Sequence, residues 1–178
     1  MGSGFIARVR PRASQTIGIH LGLSADITWM GKDGMCWGEV IPRLSTELAT
    51  KTPPDILVLH LGGNDLGQVQ RYKLLQRMKK DLTWVRETCP NTNIIFSSIL
   101  PRIKWRYAKH PGKANRARLW INAEIAAFIP RLGGQLIAHS DEITHTNAEM
   151  FIPDGVHLSY KGNDLLLEAL SNGIRTYL

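Results

Sequence analysis

The sequence predicts a doubly wound α/β domain built on a parallel sheet, and three observations carry that prediction. Ile56-Leu57-Val58-Leu59-His60-Leu61 is a nearly continuous apolar run, as expected of a strand buried on both faces. Segments of strand character alternate with segments whose apolar residues recur at helical spacing. Two glycine-bearing loops, Gly31-Lys32-Asp33-Gly34 and Gly62-Gly63-Asn64-Asp65, follow strand-like runs, the position where an open parallel sheet gathers its ligands. The 178 residues suit a single domain spanning 1–178, and no internal repeat, low-complexity tract or linker divides them.

Taken in order, Met1-Gly2-Ser3-Gly4 begins abruptly, with no apolar strand before it. From Phe5 to about Leu23 the pattern is loosely helical, with Pro11 in a first turn or a break and Gly18 and Gly22 loosening the end. Ala25 to Met30 is rich in β-formers and reads as a strand running into the 31–34 loop. Trp37 to Ala49 carries Val40, Ile41, Leu44 and Leu48 at helical spacing. Pro53-Pro54 breaks the chain before the apolar strand at 56–61. Leu74, Leu75, Met78, Leu82 and Val85 predict the next helix, and Asn93 to Ile99 the next strand. A helix from about Lys113 to Ile129, a short strand at Gln135–Ala138 and a closing apolar-faced helix after Ser159 complete the alternation.

Composition bounds the function classes. At 43% hydrophobic and 21% charged, the chain can bury a core of ordinary size. No apolar run approaches the roughly 20 residues that span a bilayer, and no secretory signal is visible, so the sequence reads as soluble and cytoplasmic. Cys36 and Cys89 are too few for a disulfide framework or a four-ligand zinc site. The net charge is +7, and seven of the 22 basic residues fall between Arg102 and Arg118. With Trp105 and Tyr107 interleaved, that segment, led by Arg102, Lys104 and Arg106, reads either as an anion-binding surface for nucleic acid or an acidic membrane, or as an ordinary solvated face. The tract His139 to His145 concentrates ligand-type side chains, but its spacing matches no H-E-x-x-H helix. No G-x-S-x-G elbow, P-loop or G-x-G-x-x-G is present, which sets aside classical α/β-hydrolase, nucleotide-hydrolysing and dinucleotide-binding classes.

The chemistry is expected around Asp154-Gly155-Val156-His157. A neutral histidine becomes a general base when a carboxylate sets its tautomer and stabilises the imidazolium formed in the reaction. Gly34 lets backbone approach a ligand closely, and the Asn64 amide can donate to developing negative charge, so the pair has the makings of an oxyanion hole.

These residues resemble a family. Gly62-Gly63-Asn64-Asp65 is similar to a G-x-N-D block, Asp154-Gly155-Val156-His157 to a D-x-x-H block, and Gly34 to an isolated loop glycine of the SGNH hydrolases, the GDSL-type esterases and lipases. The likeness runs from about residue 24 to the end. It implies a flavodoxin-like three-layer α/β/α sandwich, His157 as base with Asp154 behind it, and Gly34 and Asn64 around the oxyanion. It implies an ester or lipid substrate, an acyl-enzyme mechanism, and no metal or organic cofactor. The nucleophile block departs from the pattern, since aligning Gly2 and Phe5 with the family's G-D-S block puts Gly4 where the serine belongs. Three alternatives follow. Ser3 serves as nucleophile after a one-residue shift, or the serine is lost and the domain is a non-acylating binding module for nucleic acid or anionic lipid, or the first residues are not native. The family's first central strand is also missing from the chain. Trp105-Arg106-Tyr107 and the basic surface resemble the esterase-like domains carried by some vertebrate retroelement proteins.

Overall fold

In the computed structural model, which describes residues 1–178, the apolar runs form β1 (Ile56–Leu59), β2 (Asn93–Ser97) and β3 (Gln135–Ile137). They pair in parallel in the order β1-β2-β3, with Leu57 opposite Ile94 and Phe96 opposite Leu136. Parallel neighbours need a crossover, and α3 (Arg71–Thr88) supplies it between β1 and β2, α4 (Pro111–Phe128) between β2 and β3. α1 (Gly4–Gln15) and α2 (Val40–Leu48) precede β1, and α5 (Tyr160–Arg175) follows β3.

The pleat sends alternate residues to opposite faces, and each face has its own core. Leu57, Leu59, Ile94 and Phe96 pack with Leu44, Leu74, Met78, Leu82, Ile121 and Ile125 of α2, α3 and α4. Ile95 packs with Phe5, Val9, Leu166 and Leu170 of α1 and α5. The result is the three-layer α/β/α arrangement. Arg12 of α1 makes a two-pronged pair with Asp164 of α5, 2.6 Å at both contacts, tying the helices of that layer together. No helix is long and apolar enough to cross a membrane.

Two expected elements differ. The helix predicted over 5–23 stops at Gln15, because Gly18 and Gly22 turn the chain through positive φ. Ala25–Met30 is not a strand: Ala25, Ile27, Trp29 and Met30 are half-buried and Asp26 and Thr28 exposed, yet the segment has no ladder. A strand needs a neighbour to receive its backbone groups, and only Gly2 bridges it, pairing in parallel with Gly31 on one side and His60 on the other. Met1 and Gly2 therefore lie along the side of β1 away from β2, between β1 and the chain at Met30–Lys32.

Beneath the strand ends, His60, Ser97 and His139 form a buried chain of hydrogen bonds, with His60 Nδ1 2.8 Å from Ser97 Oγ and His139 Nε2 3.1 Å from the same oxygen. Desolvation holds His60 well below the ordinary histidine range and pushes His139 down to about 4. Burial likewise lowers the Met1 ammonium to about 5. All three bind protons more readily when unfolded, so stability should fall as pH drops from about 8 towards 4. His139 alone should account for roughly 3 kcal/mol of that loss. Denaturant midpoints measured across this window check it, and His139→Gln should flatten the curve between about pH 6.5 and 4.

Candidate active site

The D-x-x-H spacing folds as a self-capped turn at the entrance to α5. Asp154 Oδ1 accepts the backbone N–H groups of Val156 and His157 at 2.8 and 2.9 Å, which swings the imidazole back over the same carboxylate. His157 Nδ1 then lies 2.6 Å from Asp154 Oδ2. The carboxylate can only accept, so Nδ1 carries the proton and Nε2 presents its lone pair. Desolvation pushes the Asp154 carboxyl up, but hydrogen bonds from the His157 ring and from the two N–H groups outweigh it and leave it below the usual carboxylate range. The turn is gripped from outside, since the N–H groups of Ile103 and Lys104 both donate to the Gly155 carbonyl at 2.9 Å.

His157 Nε2 faces the N-terminus of α1. A Cβ built on Gly4 would lie 3.3 Å from Nε2 and 2.5 Å from Asp33 Oδ1. Position 4 is therefore where a side chain would meet the base, and it is a glycine. Ser3 is the residue before α1, its N–H bonded to the His60 carbonyl at 3.2 Å and its carbonyl accepting from Ile6 and Ala7. Its side chain is buried and makes no hydrogen bond to His157. As the first residue of α1, Gly4 has an N–H without an intrahelical acceptor, at the positive end of the helix dipole.

The 62–65 block holds the far side. Asn64 Nδ2 donates to the Met35 carbonyl at 3.0 Å, and Asn64 Oδ1 accepts from Arg102 at 3.0 Å, so the amide orientation is set by its two partners. Gly34, with φ of +72°, precedes Met35 and has open space where its Cβ would be. Asp65 is buried and accepts the Trp37 N–H through both oxygens at 3.2 and 2.9 Å, tying the 34–37 loop to the block. Desolvation raises its carboxyl above the usual range, against the pull of the Trp37 N–H. Asp65→Ala should leave that N–H unpaired and cost about 1–3 kcal/mol, read from a denaturant midpoint.

The basic segment divides. Lys104 and Arg106 are exposed, with Lys109, Lys113 and Arg116, whereas Arg102 is 4% exposed. The expectation of a surface phosphate ligand therefore does not hold for Arg102. Leu100, Pro101 and Arg102 extend the buried end of β2, and the guanidinium stacks between the rings of Phe5 and Trp105, at 5.4 and 5.2 Å. Burial pushes it down to about 10. Sequence reasoning placed this arginine in the solvated cluster because charge density along the chain does not report side-chain direction. Asp33, beside position 4, was also missed as a site residue, being one carboxylate in a turn.

Among known proteins, the GDSL-like Lipase/Acylhydrolase family profile matches residues 3–165. Comparison with curated sequences returns no match. Solved structures with the same fold include a GDSL-like lipase from Bacteroides thetaiotaomicron, 17% identical with a TM-score of 0.77 over 100% of this chain and 87% of that one. A lipase/acylhydrolase from Enterococcus faecalis is 17% identical, with a TM-score of 0.72 over 98% and 93%. A carbohydrate esterase family 3 protein from Talaromyces cellulolyticus is 14% identical, with a TM-score of 0.66 over 99% and 94%. At these identities the structures establish the α/β/α fold, and the profile spanning nearly the whole chain establishes membership: this protein belongs to the GDSL-like lipase/acylhydrolase, or SGNH hydrolase, family.

Proposed function

We propose that this chain hydrolyses carboxylic esters through the Asp154–His157 base acting on water, without an acyl-enzyme. The observation that carries the reading is the 3.3 Å separation between His157 Nε2 and the position of a Cβ on Gly4, where no hydroxyl exists. A base aimed at a position without a side chain of its own, bordered by the Asp33 carboxylate, can polarise a water placed there. General-base assistance of this kind is worth on the order of 10²- to 10⁴-fold. Gly34, Asn64 and the N–H of Gly4 would receive the negative charge that develops on the ester oxygen. Without a covalent intermediate the activity is expected to be slow.

The test is a pair of measurements on the purified chain. Hydrolysis of a short p-nitrophenyl ester should be measurable and should fall at least tenfold in His157→Ala, while a fluorophosphonate probe should leave Ser3 unlabelled. Labelling at Ser3 that disappears in His157→Ala would instead establish Ser3 as the nucleophile and overturn the water mechanism. The second reading, a binding module, is favoured by the five basic side chains exposed between 104 and 116. It requires nucleic-acid or anionic-vesicle binding that weakens steeply with salt and is lost on neutralising Lys104 and Arg106.

A further inference from the structure

The atoms nearest a Cβ built on Gly4 belong to two side chains, His157 and Asp33. Asp33 lies outside both motif blocks. We infer that Asp33 is a second catalytic residue of the ester site, its Oδ1 and His157 Nε2 holding the attacking water between them, each accepting a hydrogen bond from it. Resting on the water mechanism proposed above, this assignment supplies what a single base lacks, a second contact that orients the nucleophile.

The chain is shaped to bring the carboxylate there. A Cβ on Gly31 would lie 2.3 Å from the Ala7 nitrogen, so glycine lets the loop press against the first turn of α1. Lys32 N–H then donates to the Gly2 carbonyl at 3.1 Å, and Met35 N–H closes a turn on the Lys32 carbonyl at 3.2 Å. Gly34 takes the positive φ at the third residue of that turn, so the turn itself asks nothing of the Asp33 side chain. Its ion-pair partner, Arg8 Nε, stands 3.7 Å from Oδ1, beyond hydrogen-bond reach, which leaves that oxygen able to accept from water.

Oδ1 and Nε2 lie 2.5 and 3.3 Å from the same point, yet they do not pair with each other, their partners being Arg8 and Asp154. One water can reach both at about 2.8 Å, the ordinary length of such a bond. Held at two corners, it turns a lone pair towards an ester carbonyl whose oxygen lies at Gly34 and Asn64. As the water oxygen bonds to the carbonyl carbon, its proton passes to Nε2 and the π pair moves onto the carbonyl oxygen. The remaining O–H stays hydrogen-bonded to Asp33. Collapse of the intermediate breaks the bond to the leaving alkoxide, which takes the proton back from Nε2, giving acid and alcohol.

The test compares p-nitrophenyl ester hydrolysis by the 178-residue chain with that of Asp33→Ala, Asp33→Asn and His157→Ala. Asp33→Ala should lower kcat on the order of 10- to 100-fold, the size of one hydrogen bond to a charged group, with KM and the denaturant midpoint unchanged. Asp33→Asn keeps an acceptor oxygen and should lose less. Formate, a carboxylate small enough for the space beside Gly4, should restore part of the rate to Asp33→Ala but none to His157→Ala. Full kcat in Asp33→Ala beside a crippled His157→Ala would overturn the role of Asp33 and leave the water mechanism standing. A loss in Asp33→Ala that comes with a lowered midpoint and resists formate would also overturn it, placing Asp33 in loop structure alone. Undiminished hydrolysis in His157→Ala, or labelling of Ser3 by a fluorophosphonate, would remove the water mechanism and this assignment with it.

Discussion

Gly4→Ser should convert this chain into an acylating esterase, with p-nitrophenyl ester turnover rising on the order of 10²- to 10⁴-fold and a fluorophosphonate label appearing at position 4. A serine there would begin with its Cβ 3.3 Å from His157 Nε2, so its hydroxyl falls within hydrogen-bonding reach of a base already holding the correct tautomer. The obstacle is Asp33 Oδ1, 2.5 Å from the same Cβ. That carboxylate is two-thirds exposed and held only by Arg8 at 3.7 Å, and a surface pair of this kind contributes about 0–1 kcal/mol. It can swing into solvent. Adding His157→Ala to the serine variant should abolish both the label and the gain. A folded Gly4→Ser protein that gains neither would show that the α1 terminus and the base are not aligned for acyl transfer.

In that serine background, Asn64→Ala should lower kcat by about 10²- to 10³-fold with little change in thermal stability, as expected when an oxyanion donor is removed. The geometry gives this prediction a companion. Arg102 accounts for one of the two contacts that orient the Asn64 amide, and it is rigidly stacked between Phe5 and Trp105. Arg102→Met should therefore reduce kcat more than it raises KM, because the amide loses the donor that holds Oδ1 away from the substrate. Arg102→Lys should restore little, since an ammonium lacks the planar fork that stacks and donates together. Combining Asn64→Ala with Arg102→Met should be strongly non-additive if both act through the same amide. Additive losses would place Arg102 in packing alone.

Much of this architecture was legible along the chain. The apolar run at 56–61 became β1 because only a strand covered on both faces tolerates such continuity, and the helical spacings of 74–85 and 165–174 became α3 and α5. The Asp154–His157 pair was legible for a similar reason: a short spacing closes on itself through local backbone bonds, and the N–H groups of Val156 and His157 need no distant partner to place the carboxylate. Ala25–Met30 shows the limit of such reading. Its residues have the propensity for a strand, but pairing is a property of neighbours, and the one bridge formed here is that of Gly2 with Gly31, just past the segment's end.

What the sequence by itself determined is the α/β alternation, the two motif blocks and the glycine at position 4, each of which is read from residues close together in the chain. Only the tertiary structure decided that Gly4 faces His157, and that Arg102 is drawn inside to hold Asn64 while Lys104 and Arg106 remain outside. These depend on residues far apart in the chain, such as Gly4 and His157 or Asn64 and Arg102. Their meeting is set by how helices pack across a sheet, which no local pattern encodes.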